Sequence, residues 1–277
     1  MQTLQAYIHG LLQPYNQATL HISDLAIQRG YGIFDFFKVT EGKPMFLDDY
    51  LARFYRSAER MEMVVPIDEA ALRDTIAQLI KANNLPLSGV KIILTGGYSS
   101  NGYDPEKPNL ILTEQPLTLP DQTIVNNGIK VITHSHVREL PTIKTINYAM
   151  GIRLIREIRA AGAADALYHQ NGIVSEFPRC NFFIVTKDET IVTPAENVLP
   201  GVTRKNVLQL AARKYKTEER TITIADIAQA REAFLTSTTK RILPIVQVDD
   251  KIIGTGKPGE ITKELLADLI ELEKRQL

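Results

Sequence analysis

Cys180 is the only cysteine in the chain. That excludes an internal disulfide and fits a protein of the reducing cell interior. Net charge is missing too, since 32 Lys+Arg balance 32 Asp+Glu. A chain without a net field has nothing to draw it onto nucleic acid or an anionic membrane. No uncharged apolar run approaches the roughly 18 residues needed to span a bilayer. The opening Met1-Gln2-Thr3-Leu4-Gln5-Ala6-Tyr7 lacks the basic start and apolar centre of a signal peptide. Internal repeats and low-complexity tracts are absent as well. Together these absences point to a soluble cytoplasmic protein. What remains is 277 residues, 44% apolar and 23% charged. That suffices for one large domain or two modest ones with buried cores.

Periodicity suggests α+β organisation in two unequal halves. Ala6 to His9 and Leu11 to Tyr15 read as a hairpin about Gly10. Gly32 to Thr40 is aromatic and β-branched, as strands are, and turns at Glu41-Gly42 into Pro44 to Leu47. Asp48 is a good N-cap for a helix to about Met61, and a second helix spans roughly Glu69 to Asn83. Val90 to Thr95 and Leu110 to Thr113 are further strands. Glu114 to Asp121, with two prolines, breaks every periodicity. The expected plan is therefore a small N-terminal domain over 1–113, a linker over 114–121 and a larger C-terminal domain over 122–277. In the second half, Ile129 to His134 is a strand, and hairpins run from Ala166 to Glu176 and from Asn181 to Thr193. A helix opens near Thr203. Glu232 to Thr236 is a strand, Val246 to Ile253 a hairpin and Glu260 to Lys274 a helix.

The most informative stretch runs from Leu140 to Gly151, where Lys144 stands in an otherwise uncharged run. Gly151, Leu154, Ile155, Ile158 and Gly162 follow at helical spacing, so Lys144 lies just before a helix or in its first turn. Tyr148 falls on the same face if that turn is helical. An ammonium among Leu140, Ile143 and Ile146 loses hydration and becomes available as an amine nucleophile. A lysine snorkelling past apolar neighbours would give the same letters.

Three further clusters could carry chemistry. Glu176, in Ser175-Glu176-Phe177-Pro178-Arg179-Cys180-Asn181-Phe182-Phe183, ends a strand beside apolar residues, where it is either functional or merely solvated. Leu199-Pro200-Gly201-Val202-Thr203-Arg204 feeds a helix whose first N–H groups suit an anion, although a plain Thr N-cap reads alike. Thr236-Ser237-Thr238-Thr239 offers four hydroxyls at a strand end, for an anion or for a turn. Arg53 adds a cation on a helix, with a surface ion pair to Asp49 as the plain alternative. Taken together, the four clusters and Arg53 suit one ligand bearing an aldehyde, an anionic group and a ring nitrogen, which is pyridoxal phosphate. A metal is not expected, because His134 and His136 share a strand face without carboxylate or cysteine at ligand spacing. Neither Gly30-Tyr31-Gly32 nor Gly96-Gly97-Tyr98 makes the Gly-x-Gly-x-x-Gly turn of a nicotinamide dehydrogenase.

In order and spacing these motifs, with Arg29-Gly30-Tyr31-Gly32-Ile33-Phe34-Asp35 and Tyr50-Leu51-Ala52-Arg53-Phe54, resemble the fold-type IV pyridoxal-phosphate enzymes. That group holds D-amino-acid and branched-chain aminotransferases and aminodeoxychorismate lyases, and the likeness runs nearly end to end. The resemblance implies two α/β domains with the active site between them, in a homodimer that borrows a loop near Arg29 from its partner. It implies that Lys144 condenses with the cofactor aldehyde and then carries the proton at substrate Cα. By the same carry-over Glu176 pairs with the pyridine nitrogen, Tyr148 bonds the ring hydroxyl and Leu199 packs on the ring. Arg53, the Val202 N–H, Thr203 and Thr238 hold the phosphate, with Ser237 or Thr239 assisting.

The resemblance is less specific about substrate. The hydroxyl run looks most like D-amino-acid aminotransferases, but the Arg-x-His pair with which their best-known branch grips the substrate carboxylate is replaced by Asn101 and Tyr103. Arg29 and Lys91, with Tyr31, become the substrate-binding candidates by position. Lys91 alternates with Val90 and Ile92 and so faces away from them on a strand. Thr145-Ile146-Asn147-Tyr148 keeps only the Asn-Tyr of the branched-chain motif, and Ile143 to Asn147 also satisfies the Ile-Lys-x-x-Asn of the lyases. The expected activity is transamination between a small or aliphatic amino acid, D ahead of branched-chain L, and 2-oxoglutarate or pyruvate. The alternative is a lyase releasing pyruvate.

Overall fold

The structure, a computed structural model, describes residues 3–277. The reading of Met1 and Gln2 as part of a signal-free start lies outside the described residues. Two compact units emerge: one takes the chain to Thr118 with Ile143–Asn147 and Gln276–Leu277, the other Leu119–Thr142 with Tyr148–Arg275.

The first unit holds β1 (Gln5–Ile8), β2 (Leu11–Pro14), α1 (Leu25–Arg29), β3 (Gly32–Thr40), β4 (Lys43–Pro44), α2 (Leu47–Arg60), α3 (Glu69–Asn83), β5 (Leu87–Thr95) and β6 (Leu110–Pro116). Its strands form a six-stranded sheet in the order β2-β1-β6-β5-β3-β4. The long antiparallel pair of β3 with β5, from Gly32↔Thr95 to Thr40↔Leu87, sets the alternation. Ile33, Asp35, Phe37 and Val39 are buried on one face, while Phe34, Phe36 and Lys91 share the other. α2 packs on β3 through Leu51, Phe54 and Ala58, and buries Arg53 with them. Asp24 caps α1 by accepting the Ala26 N–H at 2.8 Å, and also accepts from Thr95 and Asn109.

The second unit holds α4 (Gln122–Asn127), β7 (Ile129–Ser135), α5 (Ala149–Arg153), α6 (Ile155–Ala160), β8 (Ala166–Gln170), β9 (Ile173–Val174), β10 (Asn181–Val185), β11 (Ile191–Thr193), α7 (Val202–Ala211), β12 (Thr217–Glu219), β13 (Ile222–Thr223), α8 (Ile224–Gln229), β14 (Glu232–Ser237), β15 (Arg241–Val248), β16 (Lys251–Ile252) and α9 (Glu260–Lys274). The strands order as β12-β11-β10-β14-β15-β7-β8-β9-β13, with β16 on β15. Alternation splits the core into two layers. Phe182, Ile184 and Leu235 face Ile227 of α8, whereas Phe183, Val185 and Phe234 face Val207 and Leu210 of α7 and Leu265 of α9. Phe183 and Phe234 stack at 4.9 Å. Each of these fully buried rings contributes about 1.5–3 kcal/mol of hydrophobic stabilisation.

Four local expectations change. Asp48 is not the N-cap of α2; Phe46 is, in left-handed conformation, and Asp48 and Asp49 lie in the first turn facing the positive end of the helix dipole. β6 runs through Pro116 and the unit boundary falls after Thr118, so the expected linker is partly strand. β15 begins at Arg241, well before Val246, and carries Pro244 in the ladder opposite Phe234. The helix after the lysine is two helices, with Leu154 between them. No helix among the described residues is long and apolar enough to cross a membrane.

Candidate active site

In the first unit the lysine segment is not helical; it lies along the edge of β3, held by one isolated bridge and two backbone hydrogen bonds. Phe34 donates its N–H to the Lys144 carbonyl at 2.9 Å, Ile146 donates to Gly32 at 3.0 Å, and Thr145 bridges Ile33. A Cβ on Gly32 would stand 2.8 Å from the Leu94 carbonyl and 3.1 Å from Ile146 Cδ1, so the segment docks where no side chain intervenes. Three consequences correct the sequence reading. Lys144 belongs to the first unit, not to the C-terminal domain. Tyr148 is the N-cap of α5 in the second unit, and helical spacing does not relate the two residues. Of the three apolar neighbours expected, Ile143 is buried but Leu140 is 43% exposed.

The Lys144 ammonium lies over the Phe34 ring, 4.6 Å from its centroid, and the Lys91 ammonium lies 5.6 Å from the centroid of the same ring. Lys91 is exposed while Val90 and Ile92 are fully buried, as alternation requires. Arg53 is buried against a fully buried Asp35, with Nε 2.9 Å and Nη2 2.7 Å from the two carboxylate oxygens. The guanidinium of α2 thus reaches across to a carboxylate on β3. This two-pronged contact fixes the guanidinium plane. Tyr31 gives its hydroxyl to the Met61 carbonyl at 2.6 Å, and burial with the nearby Glu62 pushes its pKa up. Arg29 is exposed and donates to Gln28 O at 3.1 Å. Asn101 is occupied in building its own loop, accepting from Tyr103 N and Asp104 N at 2.9 Å each, and Tyr103 is 77% exposed.

In the second unit Glu176 is only 4% exposed and surrounded by donors. Arg138 Nη1 lies 3.1 Å from Oε1, while the Leu199 N–H at 2.9 Å and Asn181 Nδ2 at 3.3 Å approach Oε2. Asn181 also donates to the Leu199 carbonyl at 2.9 Å, tying the strand end to the turn before α7. Sequence reasoning placed Asn181 in the same motif as Glu176 but missed Arg138 as a member of this cluster. The usable signal was that a carboxylate ending a buried strand needs a cation, and Arg138 follows β7 closely. α7 opens at Val202 with Gly201 as cap and no side-chain cap, so Thr203 lies in the first turn and is not the cap itself. Leu199 is buried beside them. A Cβ on Gly201 would collide with Asn181 Oδ1. Gly201→Ala should therefore lower stability by about 1–3 kcal/mol through overpacking. Thermal unfolding reads this, and an unchanged Tm would mean that the joint has room. Ser237 Oγ accepts the Lys240 N–H at 3.1 Å across the turn that carries Thr238 and Thr239. Just before it, Thr236 Oγ1 is buried and has no hydrogen-bond partner among the described residues.

Residues 32–248 match the family described as amino-transferase class IV. The chain belongs to that family. This class IV aminotransferase is 26% identical over 268 residues to the D-alanine aminotransferase of Bacillus licheniformis, covering 95% of this chain and 94% of that one. It is 28% identical over 275 residues to a putative branched-chain-amino-acid aminotransferase of Methanocaldococcus jannaschii, covering 95% and 94%. Among solved structures it is similar to the branched-chain amino acid aminotransferase from Escherichia coli, at TM-score 0.89 and 21% identity over 98% of this chain and 95% of that one. Class IV aminotransferases are pyridoxal-phosphate enzymes, and the donor set of this one fits the group. A buried carboxylate with its charge balanced suits a protonated ring nitrogen. Within the second unit an uncapped helix start and a run of hydroxyls suit a phosphate, and an unpartnered buried hydroxyl begins that run.

Proposed function

We propose that this aminotransferase moves an amino group between a small or aliphatic amino acid and a 2-oxo acid such as 2-oxoglutarate or pyruvate, with D-amino acids preferred over branched-chain L-amino acids. The observation that carries the reading is the Lys144 amine, set on the β3 edge against Phe34 with a second ammonium, Lys91, on the same ring. The Thr236–Thr239 run and the relatives named D-alanine aminotransferase favour the D-series.

Bound pyridoxal phosphate supplies an electrophilic aldehyde and a ring that takes up the electron pair left at substrate Cα. The chain's residues supply the rest. Lys144 is the amine that holds the cofactor and moves the proton at Cα. Glu176 keeps a proton on the ring nitrogen, and Arg138 with the Leu199 N–H keeps that carboxylate in place. Tyr148 bonds the ring hydroxyl and Leu199 covers the ring. Arg53, the Val202 N–H, Thr203, Ser237 and Thr238 hold the phosphate, with Asp35 fixing the arginine. Arg29, Tyr31 and Lys91 take the substrate carboxylate in place of the missing Arg-x-His pair. The enzyme is assigned to the cytoplasm, in keeping with its single cysteine.

Initial rates with paired D- and L-forms of alanine, valine and leucine, read through the oxo-acid product, test the proposal. Faster turnover of the D-forms is expected. Pyruvate released from aminated chorismate without any oxo acid would instead make it a lyase.

Lys91→Ile should raise KM for amino acids about tenfold, as removal of one charge-assisted hydrogen bond does, and leave kcat nearly unchanged. An unchanged KM removes Lys91 from the site. The working assembly is taken as a homodimer. Size-exclusion with light scattering should give twice the chain mass, and a fully active monomer would overturn that.

A further inference from the structure

Beneath the hydroxyl turn between β14 and β15 lies a buried ion pair that none of the roles above uses. Lys240, the last residue of the turn, sends its ammonium to Asp165 Oδ2 at 3.1 Å, with side chains 21% and 6% exposed. Asp165 Oδ1 meanwhile accepts the Ala166 N–H at 3.0 Å, which seats the carboxylate at the start of β8. At the other end of the turn, Ser237 Oγ accepts the Lys240 N–H at 3.1 Å. The turn bearing Thr238 is thus closed on itself by Ser237 and Lys240 and tied to Asp165 just before β8. Asp165 and Lys240 are 75 positions apart, so only the fold brings them together.

A buried ion pair is a weak stabiliser, because the cost of desolvating two charges offsets most of their attraction. An apolar pair of the same volume serves a core equally well. What the ion pair does better is orientation, since a charge-assisted hydrogen bond has a direction that packing lacks.

We propose that the Asp165–Lys240 ion pair is a positioning device that fixes the Ser237–Lys240 turn and thereby sets how tightly the chain holds the cofactor phosphate. The inference rests on the assignment of Thr238 to that phosphate.

The test titrates pyridoxal phosphate into the apo chain by absorbance, for Asp165→Asn, Lys240→Met, the double variant Asp165→Leu/Lys240→Met and, beside them, Thr238→Val. Thermal unfolding of each apo chain runs in parallel. Each single change should weaken the Kd about ten- to a hundredfold, the range seen when supporting groups around a bound centre are removed. The double variant should recover the apo Tm of the parent and still bind weakly, which a purely structural role does not produce. A double variant with the parent's Kd overturns the proposal, and so does failure of all the ion-pair variants to fold. If Thr238→Val binds like the parent while the ion-pair variants do not, the Thr238 assignment falls and the turn acts through its backbone. If Thr238→Val binds weakly and the ion-pair variants bind like the parent, the assignment stands and this inference alone fails.

Discussion

Lys144→Ala should lower transamination by on the order of a thousandfold or more, because in the proposed function one substitution removes both the amine that anchors the cofactor and the base that moves the proton at Cα. Covalent anchoring and proton transfer are separate contributions, and each is expected to be large. The fold should survive. Lys144 is half-buried, and its backbone bond to Phe34 remains. The attraction of its ammonium to the Phe34 ring is worth only about 0.5–1 kcal/mol. The measurement pairs steady-state rates with borohydride reduction and peptide mapping. In the parent the reduced cofactor should sit on residue 144, and in the variant no lysine should carry it. A variant with parent-like turnover, or a parent labelled elsewhere, would sink the assignment. Lys91 is the lysine to watch, since it lies over the same ring.

Glu176→Gln is the second large effect, and it should act on rate and stability together. The amide keeps the shape and one acceptor but carries no charge, so in the proposed function the ring nitrogen would lose the partner that keeps it protonated. A preorganised electrostatic interaction of this kind is worth about a hundred- to a thousandfold in rate. Stability should fall as well, because the Arg138 side chain is only 11% exposed and loses its counter-charge. Breaking a buried pair from one side costs about 3–5 kcal/mol. Combining Glu176→Gln with Arg138→Met separates the two effects. The double variant should recover much of the stability and none of the rate. Recovery of the rate would mean that Glu176 matters only as a partner for Arg138.

The candidate groups are readable in the sequence because they depend on residue type and spacing. A lysine in an uncharged run, a glutamate at a strand end, a turn feeding a helix and a run of hydroxyls are each local in the chain. β3, β10, β14 and α9 were readable for the same reason, since their alternation or helical period repeats over neighbouring residues. Glu260–Lys274 matched to the residue.

What lay outside the sequence is what depends on partners far along the chain. Lys144 read as lying just before a helix or in its first turn, since the residues after it have helical spacing, and it does lie before α5. What the spacing did not show is that the edge of β3 holds it, because backbone groups there take the Lys144 carbonyl and the Ile146 N–H. Asp35 as the partner of Arg53, Arg138 as the counter-charge of Glu176 and Asp165 beneath Lys240 are invisible for the same reason. Each pairing joins side chains from different parts of the chain, and burial makes it obligatory only after the sheets and helices have closed around it. The sequence by itself determined which groups could react. Tertiary structure decided which neighbours hold them, because a buried charge takes its partner from whatever the fold brings within reach.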